Sequence, residues 1–154
     1  MLNEKEKLIA LQFRKSIGED RDKIRSLLRT TKLPTESLGK DVTTFYVAEE
    51  KDRIVGIAGY EFYGDDALLR SVAVRPDLQH CGLGSQIVDF MLDLARKKRI
   101  RSVVLLTETA RDFFLRKGFD VVDRSAINNE KMKKSSEFAY ACPKSAVCMR
   151  RRLG

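Results

Sequence analysis

Apolar and polar residues alternate weakly over Leu8–Phe13, which predicts a first strand. Glu19–Arg29 places Ile24, Leu27 and Leu28 on one face, the spacing of an amphipathic helix. Pro34 and Gly39 then break the chain. Thr43–Glu49 is rich in β-branched and aromatic residues and predicts a second strand. Lys51-Asp52 makes a turn into a strand at Arg53–Phe62. Tyr63-Gly64-Asp65 makes another into a strand at Ala67–Val74, completing a three-strand meander.

After Pro76 the pattern changes. Gly82 and Gly84 precede a helical stretch through Lys98, with Ile87, Phe90, Met91, Leu94 and Ala95 at three- and four-residue spacing. Ser102–Thr107 is a short apolar run that predicts a strand buried on both faces. A helix is expected over Ala110–Arg116, stopping at Gly118. Phe119–Val122 predicts a strand, Asn128–Lys134 a polar stretch and Ala146–Arg151 a last strand. Meander, helix, strand, helix, strand describes a mixed sheet with helices, α+β or α/β in class. The 154 residues suit one domain, 1–154, without repeats or low-complexity linkers.

Hydrophobic residues make up 43% and charged residues 34%, a globular composition. No apolar run reaches the ~20 residues that span a membrane, and the polar N-terminus carries no secretory h-region, so a cytoplasmic location is expected. Cys81, Cys142 and Cys148 have neither disulfide-framework nor metal-site spacing and read as free thiols; with His80 the single histidine, no metal site is expected. The formal charge of +8 raises nucleic acid or an anionic ligand as partners. Much of that charge sits beside acids in helical stretches such as Asp93–Arg101. The basic residues are also poorly interleaved with aromatics, so nucleic acid ranks last among the partners.

The chemistry gathers in Val72–Ser85, a strand, a turn, a glycine-bearing loop and a helix start. The first amides of a helix have no internal partner and the helix dipole is positive there, so such a junction receives anions. No Lys-Ser/Thr pair follows the glycines, which excludes a Walker A loop, and G-x-G-x-x-G spacing is absent, which argues against a dinucleotide fold. Two glycines alone would mark no more than a tight turn.

The whole segment resembles motif A of the GNAT acetyltransferases, Val-x-Pro-x-x-(Gln/Arg)-x-x-Gly-x-(Gly/Ala), met here by Val74, Pro76, Gln79, Gly82 and Gly84. Thr107–Phe119 is similar to motif B of the same family, a strand-to-helix unit ending in Gly-Phe. With the meander, the likeness covers nearly the whole chain. Leu105–Phe119 is most similar to N-acetylglutamate-synthase-type domains. The full pattern, with Ala141-Cys142-Pro143 and Ser145–Met149, also looks like acetyltransferases linked to arsenic resistance.

The resemblance implies an acyl-CoA N-acyltransferase fold, with a mostly antiparallel central sheet flanked by helices, and acetyl-CoA as cosubstrate. It assigns pyrophosphate to Gln79, His80, Cys81, Gly82, Leu83, Gly84 and Ser85, and pantetheine to the strand Val72, Ala73, Val74. Thr107 and Phe114, in motif B, join the cofactor-binding set. One departure is His80, where the family usually has glycine.

Amine acetylation needs a neutral amine, a polarised thioester oxygen and a stabilised leaving thiolate. The family's thiolate-protonating tyrosine falls at Phe114, which has no proton to give. Either Tyr140 serves instead, or the thiolate leaves with help from water and a helix dipole. The family's usual glutamate position is Leu68, so the base is sought at Glu61, which shares a strand face with Ile57 and Val55 if that strand alternates. A carboxylate on such a face would be desolvated and made more basic; the other reading is an exposed strand end. Cys81 could be acidified near the helix start and Cys142 could be a nucleophile, but direct transfer is preferred to covalent catalysis. The expected activity is acetyl-CoA-dependent N-acetylation of a small-molecule amine, an amino acid or similar compound. A CoA-binding regulatory module is the alternative, and pairing through the sheets would be compatible with a homodimer.

Overall fold

The computed structural model describes residues 11–36, 38, 42–141 and 145–154, the side chains of Tyr140 and Ala141 excepted. Seven strands form one sheet in the order β1-β2-β3-β4-β5-β7-β6. They are β1 (Gln12–Lys15), β2 (Thr44–Glu50), β3 (Arg53–Tyr63), β4 (Asp66–Val74), β5 (Ser102–Thr107), β6 (Asp120–Val121) and β7 (Val147–Arg152). The helices are α1 (Arg21–Thr30), α2 (Leu83–Lys97), α3 (Arg111–Arg116) and α4 (Glu130–Lys133). Pairing is antiparallel for β1–β2, β2–β3, β5–β7 and β6–β7, and parallel for β4–β5. The fold is therefore the mixed sheet with helices that the residue pattern predicts, mostly antiparallel as the resemblance implies.

The described residues gather into two compact units, one holding the chain to Tyr60 with Ser71–Met91, the other Glu61–Arg70 with Leu92–Gly154. In the first, Ile24, Leu27 and Leu28 of α1 pack with Phe45, Val47, Ile57 and Ala73. Phe90 of α2 stacks on Phe13, ring centroids 4.7 Å apart, and meets Tyr46 edge-on. Gly56 admits this packing: a Cβ there would stand 2.4 Å from Ile87 Cδ1 and 3.2 Å from the Ala73 carbonyl oxygen. In the second unit, Leu68, Val104, Leu106, Ile127, Met132, Phe138, Ala146 and Cys148 form a core. Val103, Val104, Leu105 and Leu106 are all buried, so β5 is covered on both faces, as its unbroken apolar run implies.

The elements follow the expected order with small shifts. Among the described residues the first strand pairs with β2 from Gln12↔Glu49 to Lys15↔Tyr46, two residues past the expected end at Phe13; Leu8 to Ala10 lie outside the described residues, as does Gly39. Lys51 and Asp52 both take left-handed backbone, φ 50° and 63°, the geometry of a two-residue hairpin turn. The polar stretch Asn128–Lys134 contains the short helix α4. The Asn129 side chain accepts a 3.1 Å bond from the Met132 amide, and Met132 is fully buried. The Asn129 amide group also donates to the Tyr63 carbonyl (2.8 Å) and to Asp66 (3.0 Å), which ties α4 to the β3–β4 turn.

Candidate functional site

In the first unit the chain leaves β4 at Val74 and makes a single 3-10 turn at Pro76–Leu78. That turn is closed by the Leu78 amide on the Arg75 carbonyl at 2.9 Å, and Arg75 is paired with Asp77 at 2.7 Å. Gln79 returns to extended backbone, and its side-chain amide donates to the Val74 carbonyl at 3.3 Å, drawing the loop toward the strand end. His80 then takes φ 70° and Gly82 φ 82°. The Gly82 carbonyl accepts the first bond of α2, from the Gln86 amide at 3.2 Å, so Gly82 caps the helix. The amides of Leu83, Gly84 and Ser85 follow in the first turn, where the helix itself supplies no acceptor.

Left-handed residues alternating with ordinary ones gather successive N–H groups into an anion-binding hollow. Here that hollow meets the positive end of a 15-residue helix. Both features suit an anionic group beside Gln79 to Ser85. The histidine at the family's glycine position is accommodated by left-handed backbone, the conformation glycine adopts freely. Its side chain is exposed, while Cys81 is half-buried with its sulfur turned toward the Gln79 carbonyl. In the adjoining strand Ala73 is buried in the core, with Val72 and Val74 half-buried on either side. The register of β4 with β5 ends at Leu68↔Val104, and Ser71 takes φ 58° inside the strand.

In the second unit Glu61 is 1% exposed. Its surroundings differ from the apolar face expected for it. Arg70 Nη1 donates to Glu61 Oε2 at 2.7 Å, and the Tyr63 hydroxyl donates to Glu61 Oε1. Arg70 Nη2 lies 3.0 Å from Glu137 Oε2. The Arg70 side chain is fully buried, and Ser135 bonds the Tyr63 hydroxyl. Burial, and then the bond to Glu61, push the Tyr63 phenol well above its ordinary range. The burial of Glu61 is thus compensated by a guanidinium, not left as a bare desolvation.

Glu137 opens a π-helical turn, Glu137–Ala141, on which Tyr140 lies; the Tyr140 side chain is outside the described residues, as is Cys142. Thr107 closes β5, and its hydroxyl accepts a 3.1 Å bond from the Ala110 amide, capping the approach to α3. Phe114 is buried between Phe113 and Phe119, with centroids 5.0 and 5.5 Å away and rings near perpendicular. Glu108 is exposed and bonded to Ser145. The cysteines Cys81 and Cys148 are free, and burial raises the Cys148 thiol above its ordinary range. Among the described residues no cluster of three or more His, Cys, Asp or Glu is placed to hold a metal, and no helix is long and apolar enough to cross a membrane.

Val72–Val74 and Gln79–Ser85 therefore share the first unit, and Glu61, Thr107 and Phe114 the second. Arg70, Tyr63 and Glu137 were not singled out from the sequence. A charged residue between Leu69 and Ser71 inside an apolar strand was the signal that Arg70 offered.

A mixed sheet whose fourth strand runs through a glycine turn into an anion-receiving helix defines the acyl-CoA N-acyltransferase fold class. N-acetylglutamate synthase from Neisseria gonorrhoeae, solved with coenzyme A and N-acetyl-glutamate, superposes with a TM-score of 0.80 at 19% identity, covering 94% of this chain and 35% of that one. A Mycobacterium tuberculosis protein solved in complex with CoA gives a TM-score of 0.75 at 26% identity, covering 93% of this chain and 99% of that one. The chain belongs to the acetyltransferase (GNAT) domain family, whose model matches residues 41–121. An amino-acid acetyltransferase of Mycobacterium tuberculosis is 34% identical over 99 residues, 61% of this chain and 56% of that protein. The chain thus matches little more than half of that curated relative's length.

Proposed function

We propose that the chain is an acetyl-CoA-dependent N-acetyltransferase that acetylates the amine of a small molecule, an amino acid or a close analogue, by direct transfer. The observation that carries this reading is the turn into α2, where Gly82 caps a long helix and the backbone is left-handed at both His80 and Gly82. Bound acetyl-CoA supplies an activated acetyl thioester. Backbone amides of Gln79 to Ser85 hold its pyrophosphate, and the β4 residues Val72 to Val74 line its pantetheine arm. Glu61 collects the amine proton through a water, and Tyr140 or water protonates the departing thiolate. The amino-acid acetyltransferase relative and the CoA-bound relative both support this choice. Two free thiols among the described residues accord with a reducing, cytoplasmic setting.

A second reading, a CoA-binding regulatory module, draws on Phe114, which is locked in an aromatic cluster where the family's tyrosine would stand. One assay separates the two. Acetyl-CoA should raise Tm by mass action in both cases. Steady release of free CoA with a panel of amino acids and related amines carries the transferase reading. Binding without release across the panel carries the regulatory one.

A further inference from the structure

Arg70 lies inside β4 with its side chain fully buried, and its two terminal nitrogens hold one carboxylate from the adjoining strand and one from a distant turn. Glu61 lies near the end of β3. Glu137 is the first residue of the π-helical turn. Apolar residues of similar volume stabilise an interior at least as well as such a network, so stability alone is a poor account of three buried charges. A planar fork that addresses two carboxylates at once specifies position, which an ammonium on a flexible stem does not. The turn it reaches is also of a rare kind, and π-helical turns collect at functional sites. Ser135 holds the same turn through a hydroxyl bond to the Phe138 amide (3.3 Å) and a carbonyl bond to the Ala139 amide (2.9 Å). The Tyr63 hydroxyl, bonded to both Ser135 and Glu61, closes the circuit.

We infer that Arg70 is a positioning residue: it anchors the Glu137–Ala141 turn to β4 and orients the Glu61 carboxylate for acetyl transfer. The anchoring half stands on the contacts themselves. The transfer half rests on the acetyltransferase reading above.

The test uses Arg70→Lys and Glu137→Gln in the full chain. Lysine keeps the charge and loses the fork. Glutamine keeps the shape of Glu137, removes one carboxylate and leaves the Arg70–Glu61 pair in place, so it is the milder of the two changes. Circular dichroism checks that each variant is folded. Hydrogen exchange at the Phe138 and Ala139 amides should be roughly 10-fold faster or more in both. With the best amine from the panel, kcat should fall on the order of 10²-fold while KM for acetyl-CoA stays parental. Parental exchange rates in both variants overturn the anchor, whether or not an acceptor has been found. Fast exchange with parental kcat overturns the positioning role, as does a loss carried by KM alone. A parent that releases no CoA with any amine defeats the transferase reading instead, and the exchange rates still decide the anchor.

Discussion

His80 and Gly82, two residues apart, both hold left-handed backbone, with φ 70° and 82°. The turn into α2 asks twice for a conformation that costs an ordinary residue about 1–2 kcal/mol, and glycine answers it only once.

His80→Gly should therefore stabilise the protein, by about 0.5–1 kcal/mol after the greater unfolded-state freedom of glycine is subtracted. Urea unfolding of parent and variant measures it. An unchanged or lower midpoint would mean the histidine side chain contributes binding energy of its own in the loop.

Gly82→Val should abolish the Tm rise produced by acetyl-CoA, because a branched side chain is strained at φ 82° and obstructs the approach to the amides. Gly84→Val, in the first turn of α2, should do the same through bulk alone. Circular dichroism must show a folded variant for either result to count. A folded variant with a parental shift removes the pyrophosphate assignment.

Glu61→Gln should leave acetyl-CoA binding as it is and lower turnover by roughly 10²-fold or more, since glutamine cannot accept the amine proton. A cost in stability is also expected, because Arg70 loses one of its two carboxylates in a fully buried setting. Single-turnover kinetics at a temperature well below Tm separate the effects. Parental turnover with a large rise in acceptor KM would make Glu61 a substrate-binding carboxylate.

Phe114→Leu should lower Tm, because it opens space in the Phe113–Phe114–Phe119 cluster, at a cost of about 1 kcal/mol or somewhat more. Turnover should fall only modestly, as phenylalanine has no proton to transfer. A loss comparable to that of Glu61→Gln would show Phe114 shaping the reacting centre itself.

Arg14 holds the Asp20 carboxyl below its usual range with a short bidentate contact (2.7 and 2.9 Å), opposed by burial and assisted by the Ile17 amide. A depressed folded-state value means stabilisation that is complete above the unfolded value of about 3.9 and lost as pH falls through the folded one. Asp20→Asn should thus cost about 1.5–3 kcal/mol near neutrality. Plotted against pH, the Tm curves of parent and variant should begin to converge as pH falls below about 4 and should meet only below the folded value. Curves that stay parallel would exclude Asp20 as a source of acid sensitivity.

Periodicity made the elements legible because each of them buries a face of its own. The stripe Ile24, Leu27, Leu28 and the unbroken run Ser102–Thr107 announce a surface helix and an interior strand before any partner is known. The glycine-bearing loop before α2 was legible for a related reason. Its anion-receiving property is local, a matter of helix-start amides and glycine backbone within a dozen residues. The left-handed histidine needed the structure only to show its conformation.

The sequence by itself determined a mixed sheet with helices, its order of elements and a glycine-bearing turn into a long helix. Tertiary structure alone decided the company that Glu61 keeps. Its strand neighbours in sequence, Val55 and Ile57, suggested an apolar setting. Glu61 is bonded instead by the Tyr63 hydroxyl of its own strand and by Arg70 from the next strand and, through that guanidinium, is linked to Glu137 in a distant turn. Likewise nothing around Gly56 in sequence foretold that Ile87 would press on it. Burial and charge pairing are properties of the assembled interior, where residues far apart in the chain share one low-dielectric volume. No local window of the sequence contains that information.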